Sequence, residues 1–229
     1  MATEPLSAHQ PVLYHEIIHF LKPISPGRYI DATVGAGGHA RGLLERSSPD
    51  GRLLALDRDP QALEIASQRL SEFGERAVLI HASYTRLKEA CRRLGWQNVN
   101  GILFDLGVSS MQIDSPERGF SFLKEGPLDM RFDPQQSLDA ASLVNTLPEQ
   151  DLADLIWRYG EDRNARRIAR AVMQARPLTT TTELAEVIRR AIGQRERIHP
   201  ATRTFQALRI AVNEELLAIE TALPQALEV

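Results

Sequence analysis

Small residues dominate a short segment, DATVGAGGHA at 31–40, that follows an apolar run and opens a helical one. Gly35, Gly37 and Ala40 fit the G-x-G-x-x-G/A pattern, in which small residues let the backbone turn tightly and approach a ligand. Asp57 stands 20 residues after Gly37, where a carboxylate can accept hydrogen bonds from both hydroxyls of a ribose. The pattern predicts a nucleoside-cofactor site and does not separate a dinucleotide from S-adenosylmethionine. A purely structural glycine turn is the alternative.

A second candidate site is the segment Asp105–Ser110, DLGVSS, which comes directly after another apolar run. Ligands of open parallel sheets bind outside the carboxyl ends of the strands, near the point where the strand order reverses. We therefore expect Asp105 to share one crevice with Gly37 and Asp57. The alternative is that Asp105 only caps the loop that follows.

A third pattern, His15-Glu16-Ile-Ile-His19, matches the H-E-x-x-H signature of zinc proteases. On a helix, the two histidines would share a face and Glu16 could act as a base. Pro23 ends this helix within a turn of His19, and the residues beyond lack the glycine and histidine of the extended motif. An ordinary amphipathic helix is the favoured interpretation, and no metal is expected.

The elements that must position these residues alternate between strand and helix over the first hundred residues. The predicted strands are Arg28–Val34, Arg52–Asp57, Ala77–His81 and Gly101–Asp105. Asp59 followed by Pro60 predicts a helix start, with aspartate as the cap and proline in the first turn. Near-continuous apolar strands between helices predict an α/β fold with a parallel sheet covered on both faces.

The alternation ends after the fourth strand. Residues 107–134 are rich in Gly, Pro, Ser and Asp and are predicted to be loop, whereas the signals are helical from Pro148 onward. Thr180 and Glu183 fit a capping box. A single last helix is predicted from about Phe205, because its apolar residues keep a spacing of three to four. The simplest organisation has two parts: a sheet domain formed by 1–113 and 204–229, and a helical insertion at 114–203.

Charge is distributed unevenly along the chain. The net charge is −3, yet the segment Arg158–Arg209 holds twelve arginines, no lysine and five acidic residues. Arg163, Arg167 and Arg170 fall within about two helical turns, together with further arginines. This asymmetry predicts a surface that binds phosphates of a polyanion. Solvated helix faces, or arginines that hold two domains together, are the alternatives.

Composition excludes several classes of protein. Hydrophobic residues make up 43% and charged residues 25% of the chain, as in ordinary soluble domains. No window approaches the roughly 18 apolar residues of a membrane span. Cys91 is the single cysteine, which excludes an internal disulfide and a cysteine-cluster zinc site. Met1–Gln10 is polar and lacks the apolar core of a signal peptide, so a cytoplasmic location is expected.

Four segments resemble one family closely. They are His9–Leu13, Asp31–His39, Asp105–Asp133 and His199–Leu216, and the last two are long and highly specific. The chain is similar over nearly all of 7–229 to the ribosomal RNA small subunit methyltransferase H family, bacterial enzymes that methylate N4 of a 16S rRNA cytidine with S-adenosylmethionine. The resemblance implies a Rossmann-like methyltransferase sheet with a helical substrate-recognition insertion.

The resemblance also implies functional residues. Cofactor ligands are expected at Gly37, Gly38, His39, Asp57, Tyr84, Asp105 and Gln112, although the family usually has Phe where Tyr84 stands. The catalytic candidates are Asp105, Ser109 and Ser110, because acidic or small polar loops after the fourth strand serve other amino-methyltransferases. Substrate contacts are expected at Arg118, Phe120, Asp129 and Arg131 in a loop over the crevice, with internal ion pairs and a loop core as the alternative.

The implied partner is 16S rRNA, within the small ribosomal subunit and around its decoding region, without a membrane or a metal. Whether the protein forms a homodimer is left open. Family members continue past Val229 into further strands, so the chain is expected to be incomplete at its C-terminal end. A zinc protease, an RNA-binding fragment without catalysis and a nicotinamide dehydrogenase are the other classes considered.

Overall fold

A four-stranded parallel sheet forms the centre of one part of the computed structural model, which describes residues 11–193 and 198–229. Its strands are β1 (Arg28–Asp31), β2 (Arg52–Asp57), β3 (Ala77–His81) and β4 (Gly101–Leu103). The strand order is β3-β2-β1-β4, and every adjacent pair is parallel. The order reverses between β1 and β4, which confirms the predicted Rossmann-like α/β sheet.

Eleven α-helices lie within the described residues. They are α1 (Tyr14–Leu21), α2 (Gly38–Arg46), α3 (Pro60–Leu70), α4 (Leu87–Arg93), α5 (Ser110–Asp114), α6 (Ala140–Thr146), α7 (Glu149–Gly160), α8 (Ala165–Ala175), α9 (Thr181–Ile192), α10 (Thr202–Asn213) and α11 (Glu215–Leu227). As predicted, Asp59 caps α3 by accepting the N–H of Gln61 at 3.0 Å, with Pro60 in the first turn. None of these helices is long and apolar enough to cross a membrane.

Two predicted strands are longer than the observed ones. β1 ends at Asp31 and β4 at Leu103, whereas the predictions extended to Val34 and Asp105. Beyond β1 the N–H groups of Ala32 and Val34 still donate to the carbonyls of Leu103 and Leu56, both at 2.9 Å, but side chains take over other backbone hydrogen bonds. The N–H of Thr33 donates to Asp31 Oδ1 at 3.2 Å, and the N–H of Asp105 donates to Thr33 Oγ1 at 2.7 Å. These two side chains therefore connect the loops that follow β1 and β4.

The chain divides into two compact units. Of the described residues, the first unit contains 11–106 and 218–229, and the second contains 107–193 and 198–217. These boundaries differ from the predicted domain boundaries at 113/114 and 203/204. α10 falls in the second unit because Phe205 and Leu208 are buried in the core that α7 and α8 also form.

The second unit is helical, as predicted from Pro148 onward, and its core is formed by α6 to α10 with Leu128 and Met130. The capping box at α9 is confirmed, since Thr180 and Glu183 each accept from the other's backbone N–H. The prediction that 107–134 is entirely loop is wrong, because this segment contains α5 and a single 3₁₀ turn at Pro116–Arg118.

The prediction of a single last helix from Phe205 is also wrong, because the helix is interrupted at Glu214, between α10 and α11. Glu214 has a left-handed backbone with φ of +50°. The buried Asn213 side chain donates to the carbonyl of Met130 at 2.7 Å and accepts the N–H of Phe132 at 2.8 Å. The apolar spacing continues across this break, but Leu216 is 47% exposed and takes no part in the core.

Two stretches addressed by the sequence analysis lie outside the described residues. One is Met1–Gln10, which includes the start of the His9–Leu13 segment and the stretch examined for a signal peptide. The other is residues 194–197, which contribute two arginines to the count for Arg158–Arg209.

Candidate functional site

Three carboxylates gather at the carboxyl edge of the sheet in the first unit. Asp31 is the last residue of β1, Asp57 is the last residue of β2, and Asp105 lies two residues beyond β4. These strands are adjacent in the sheet and parallel, so their ends lie along one edge. The predicted grouping of Asp57 and Asp105 beside the glycine segment therefore has its basis in the strand order.

Asp57 is bonded directly to the glycine segment. Its Oδ2 accepts the backbone N–H of Gly35 at 2.8 Å, and its Oδ1 accepts the N–H of Asp59 at 2.9 Å. Burial raises the pKa of the Asp57 carboxyl above its ordinary value, and the two N–H donors oppose that shift. Each carboxylate oxygen has a second lone pair, so the expected ribose contact remains compatible with this geometry.

Asp31 is the most perturbed acid of the group. Its side chain is 1% exposed, Oδ1 accepts the N–H of Thr33, and the buried Oδ2 has no hydrogen-bond partner within the described residues. Burial raises its pKa to about 7, and the negative charges of Asp57 and Asp105 add to that shift against the opposing Thr33 bond. A buried carboxyl oxygen without a partner is costly, which marks this position as one that a cationic donor would satisfy.

Asp105 presents its carboxylate to solvent while its backbone is fixed. The side chain is 55% exposed, and the backbone N–H donates to Thr33 Oγ1. His39 Nδ1 lies 3.9 Å from Asp105 Oδ2, which is too long for a hydrogen bond. Asp105 is thus both accessible and positioned, as a group that contacts a substrate or cofactor must be.

His39 is held by the segment that precedes α1. Its Nε2 donates to the carbonyl of Val12 at 3.0 Å, and its ring stacks with Tyr14 at a centroid distance of 6.3 Å. A side chain at Gly38 would collide with the ring of Pro11. The family segment that ends at Leu13 therefore packs on the start of α2, a role that its sequence did not reveal.

The glycines of the loop meet two different requirements. Gly35 has φ of +50° and Gly37 has φ of +78°, both in the left-handed region that side chains disfavour. A Cβ at Gly35 would have one neighbour, the Thr33 carbonyl oxygen at 3.9 Å, whereas a Cβ at Gly37 would press on Ala66 of α3 at 3.4 Å. Gly37 therefore serves helix packing, and Gly35 leaves room for a ligand.

Tyr84 follows β3 on a short 3₁₀ turn, and its ring packs edge-to-face on Phe104 with centroids 5.7 Å apart. Phe104 follows β4, so both aromatic residues come after the carboxyl ends of strands. Both rings are half-buried. The predicted stacking of Tyr84 on adenine stays a prediction, with core packing against Phe104 as the observed contact.

Ser109, Ser110 and Gln112 belong to the second unit and form the start of α5. Ser109 Oγ accepts the N–H of Gln112 at 3.3 Å, and Gln112 Oε1 accepts the N–H of Ser109 at 3.0 Å. This capping box gives both side chains a structural role that the predictions for them did not include. Their catalytic and cofactor roles stay predictions.

The loop residues expected to contact substrate are bonded to one another. Asp129 accepts two hydrogen bonds from the Arg131 guanidinium, at 2.8 and 2.6 Å. Arg118 donates to the carbonyls of Arg131 and Phe132, and it lies over the ring of Phe120. Burial acts to raise the pKa of Asp129, but the Arg131 bonds outweigh it and the pKa is lowered. These contacts favour the alternative of an internally bonded loop for all four residues.

The arginines expected to bind phosphate lie on the surface of the second unit. Arg163 precedes α8, and Arg167 and Arg170 lie on it, all exposed. Arg170 lies 3.5 Å from a carboxylate oxygen of Glu149 on α7. Arg163 and Arg167 form no ion pair within the described residues, so their charges stay available to an anion.

The His15-Glu16-His19 pattern lies on α1, and both histidines line a cavity of about 530 Å³. The rest of its wall comes from Tyr14 and Ile18 of α1, from the turn after α1 and from Arg46, which ends α2 at the opposite end from the glycine loop. Across residues 11–193 and 198–229 there is no group of three His, Cys, Asp or Glu that could hold a metal.

Sequence reasoning missed two members of the site, Asp31 and Thr33. Both lie in the quoted glycine segment, but no role was assigned to them. The position of Asp31 at the end of an apolar strand could have indicated its role, because an acid there is either exposed or bonded by the loop that follows. Thr33 accepts from Asp105 and donates to Asp31, so it connects the β1 and β4 loops.

The residues of this edge suit S-adenosylmethionine better than a dinucleotide. Three carboxylates would repel a pyrophosphate and attract a ligand that carries a sulfonium and an ammonium. The buried Asp31 Oδ2 lacks a donor within the described residues, and a Cβ at Gly35 would meet nothing closer than the Thr33 carbonyl oxygen at 3.9 Å. Asp31, Gly35, Asp57 and Asp105 are the residues that could hold such a cofactor.

Comparisons with known proteins agree with this geometry. The model of the MraW methylase family matches residues 6–229. A ribosomal RNA small subunit methyltransferase H from Dehalococcoides mccartyi is 56% identical over 219 residues, covering 95% of this chain and 63% of that protein. A protein of the same name from Coxiella burnetii is 48% identical over 228 residues, covering 97% of this chain and 74% of the relative.

The chain thus spans about 63% of the length of the first of these relatives. A solved S-adenosylmethionine-dependent O-methyltransferase from Thermotoga maritima is 21% identical, with a TM-score of 0.32. The match covers 35% of this chain and 32% of that protein. So low a TM-score carries no weight, and the fold assignment rests on the strand order and register described above.

Proposed function

Since the chain belongs to the MraW methylase family, we propose that it transfers a methyl group from S-adenosylmethionine to the exocyclic N4 of a cytidine in 16S rRNA, in the decoding region of the small ribosomal subunit. The observation that carries the cofactor assignment is the set of three carboxylates, Asp31, Asp57 and Asp105, around an open glycine loop. The family match supplies the nucleic-acid substrate.

Asp57 and Gly35 orient the cofactor in this proposal. Because Asp57 Oδ2 holds the Gly35 N–H, the carboxylate that accepts the ribose hydroxyls and the glycine that admits the ligand are fixed relative to each other. Asp31 supplies a buried acceptor for the ammonium of the methionine moiety. When bound, the cofactor supplies an electrophilic methyl group.

Asp105 has the central role toward the base. The lone pair of a cytosine amine is delocalised into the ring, so the amine needs alignment and an acceptor for its N–H as it attacks. The exposed Asp105 carboxylate can accept that hydrogen bond, and the Thr33 bond to its backbone keeps it in place. Ser109 and Ser110 are proposed to assist in the same loop. The target base has to leave its stack to enter such a site.

The second unit is proposed to bind RNA. Arg163, Arg167 and Arg170 would contact phosphates, which position the RNA without reading its sequence. The choice of base is left to the groups around Asp105. Arg118, Phe120, Asp129 and Arg131 would act indirectly, by holding the loop that their mutual bonds already form.

A methylation assay tests the proposal. Unmodified small subunits, or their 16S rRNA, are incubated with the protein and methyl-labelled S-adenosylmethionine, and nucleosides are identified by mass spectrometry. We expect N4-methylcytidine, lost when Asp105 is replaced by Asn. His15→Ala is the control, and it should leave turnover within about twofold. Methylation that survives Asp105→Asn but not His15→Ala would contradict the site.

The same assay addresses the alternatives. The protein could bind S-adenosylmethionine and RNA but label neither the small subunits nor the free 16S rRNA. In that case the part of the longer relatives that this chain does not span is needed for turnover. The full-length relative from Dehalococcoides mccartyi, assayed in parallel, separates that outcome from a wrong assignment of the reaction.

A further inference from the structure

An exposed tryptophan stands beside the arginines of the second unit. Trp157 lies in the last turn of α7 and is 57% exposed, whereas its neighbours Ile156 and Gly160 are buried in the core. Exposed tryptophans are uncommon, since a ring of this size removes much apolar surface from water when it is buried. Its position on the surface therefore calls for a partner.

Residues 157–167, here named the α7–α8 corner, bring this tryptophan and four exposed arginines into one short stretch of chain. α7 ends at Gly160 and α8 begins at Ala165, so only four residues connect the two helices. Trp157 and Arg166 each lie within about one helical turn, roughly 5 Å along the axis, of this connection. The two helices pack in one core through Ile156 and Ile168, which keeps their ends together.

The charge of the corner is strongly positive. Four exposed arginines, Arg158, Arg163, Arg166 and Arg167, share the corner with one exposed acid, Glu161. Asp162 is buried, and its Oδ1 accepts the N–H of Asn164 at 2.8 Å. Within the described residues none of these four guanidinium groups forms an ion pair, so the corner keeps its positive charge.

We propose that the α7–α8 corner binds single-stranded RNA, with Trp157 stacking on a base and the surrounding arginines on the flanking phosphates. This inference rests on the proposed RNA substrate and adds a contact to bases at a surface otherwise assigned to phosphates alone. A basic surface with an aromatic ring is the combination by which proteins hold single strands without strict sequence preference. The charge favours RNA over a protein partner, whose surface would have to be unusually acidic.

Intrinsic fluorescence tests the stacking directly, because the chain has only two tryptophans and Trp96 is 6% exposed. The probes are a 12-nucleotide single-stranded RNA and an abasic oligomer with the same phosphates. We expect the RNA to quench the emission of Trp157 and the abasic oligomer to leave it unchanged. Trp157→Phe removes the quenched component and leaves the emission of Trp96 as an internal reference.

Affinity supplies a second measurement. Trp157→Ala should weaken RNA binding about five- to tenfold, as expected for one stacked base, without changing the dependence on salt or the affinity for the abasic oligomer. Trp157→Phe should restore most of the affinity. Melting curves of both variants show whether they are folded, and their affinity for S-adenosylmethionine should equal that of the unmodified protein.

Three results would overturn the inference. RNA could bind Trp157→Ala as well as it binds the unmodified protein, and could leave the Trp157 emission of the unmodified protein unquenched. In that case the proposed function stands and only the stacking role is wrong. Shielding of Trp157 that rises with protein concentration in the absence of RNA would assign the corner to contacts between copies of the chain. Wild-type protein that binds no RNA and transfers no methyl group would contradict the proposed function as well.

Discussion

Gly35 donates its backbone N–H to Asp57 Oδ2 across 2.8 Å, which ties the first glycine of the loop after β1 to the last residue of β2. The sequence separates these residues by 22 positions, yet the parallel pairing of β1 with β2 brings their ends together. One carboxylate therefore shapes the loop and, in the proposed function, receives the ribose. Its removal should affect both.

Asp57→Ala should weaken the binding of S-adenosylmethionine roughly ten- to hundredfold, since a hydrogen bond to a charged group contributes about 1.5–3 kcal/mol. Isothermal titration measures the change. Asp50→Ala, which removes an exposed carboxylate at the turn before β2, is the matched control and should bind as the unmodified protein does. An unchanged affinity in folded Asp57→Ala protein would contradict the assignment.

Asp31 should make stability depend on pH. Its folded-state pKa of about 7 lies above the ordinary 3.8, so the unfolded chain loses this proton first as pH rises. The contribution of this group to stability is complete below about pH 4 and is lost as pH rises through 7. The Asn of Asp31→Asn cannot ionise. As pH rises from 4 to 8, the free energy of unfolding of this variant should therefore increase relative to that of the unmodified protein.

Urea unfolding at pH 4.5 and 8 measures this difference, which should amount to roughly 4 kcal/mol at most, at about 1.4 kcal/mol for each pKa unit. A difference that stays constant with pH would show that Asp31 is ionised in the folded protein. That result would contradict the raised pKa of the Asp31 carboxyl.

Asn213→Ala should destabilise the second unit. It leaves the carbonyl of Met130 and the N–H of Phe132 without their side-chain partner, at about 1–3 kcal/mol for each buried group. We expect a loss of about 2–5 kcal/mol in urea unfolding. Gln174→Ala, at an exposed position in the last turn of α8, should change stability by less than about 0.5 kcal/mol. Equal effects of the two substitutions would contradict this role for Asn213.

The sequence predicts the sheet because its strands are buried and apolar, and it predicts Asp57 and Asp105 because they follow such strands. It does not reveal the break at Asn213, since the apolar spacing of α10 continues into α11 and the cause is a bond to residues some 80 positions away. The internal bonds of Arg118 and Arg131 are local, between residues at most 14 positions apart, and the sequence offers them only as an alternative. A basic side chain in a glycine-rich loop has the same sequence signal whether it contacts RNA or a neighbouring carbonyl or carboxylate.

Replacing Arg163, Arg167 and Arg170 with Gln should weaken RNA binding and flatten its salt dependence. Each lost phosphate contact lowers the slope of log K against log salt by about 0.7 for a single strand, so three contacts lower it by about 2. Arg170 should contribute least, because Glu149 already lies 3.5 Å from it. Fluorescence anisotropy over a potassium chloride series measures the slope.

The matched control replaces three exposed arginines of the first unit, Arg46, Arg52 and Arg92, with Gln. It removes the same net charge and should leave the slope nearly unchanged. If the Arg163, Arg167 and Arg170 variant instead melts at a much lower temperature with an unaltered slope, these arginines serve the internal structure of the protein and do not bind RNA.

In the proposed function, three carboxylates around the Gly35 loop form a site for a cationic nucleoside cofactor. Isothermal titration of the purified protein with S-adenosylmethionine, and separately with NAD⁺, tests it most directly. We expect saturable one-to-one binding of S-adenosylmethionine that Asp57→Ala weakens at least tenfold, and no detectable binding of NAD⁺. Binding of NAD⁺ with no heat from S-adenosylmethionine would contradict it.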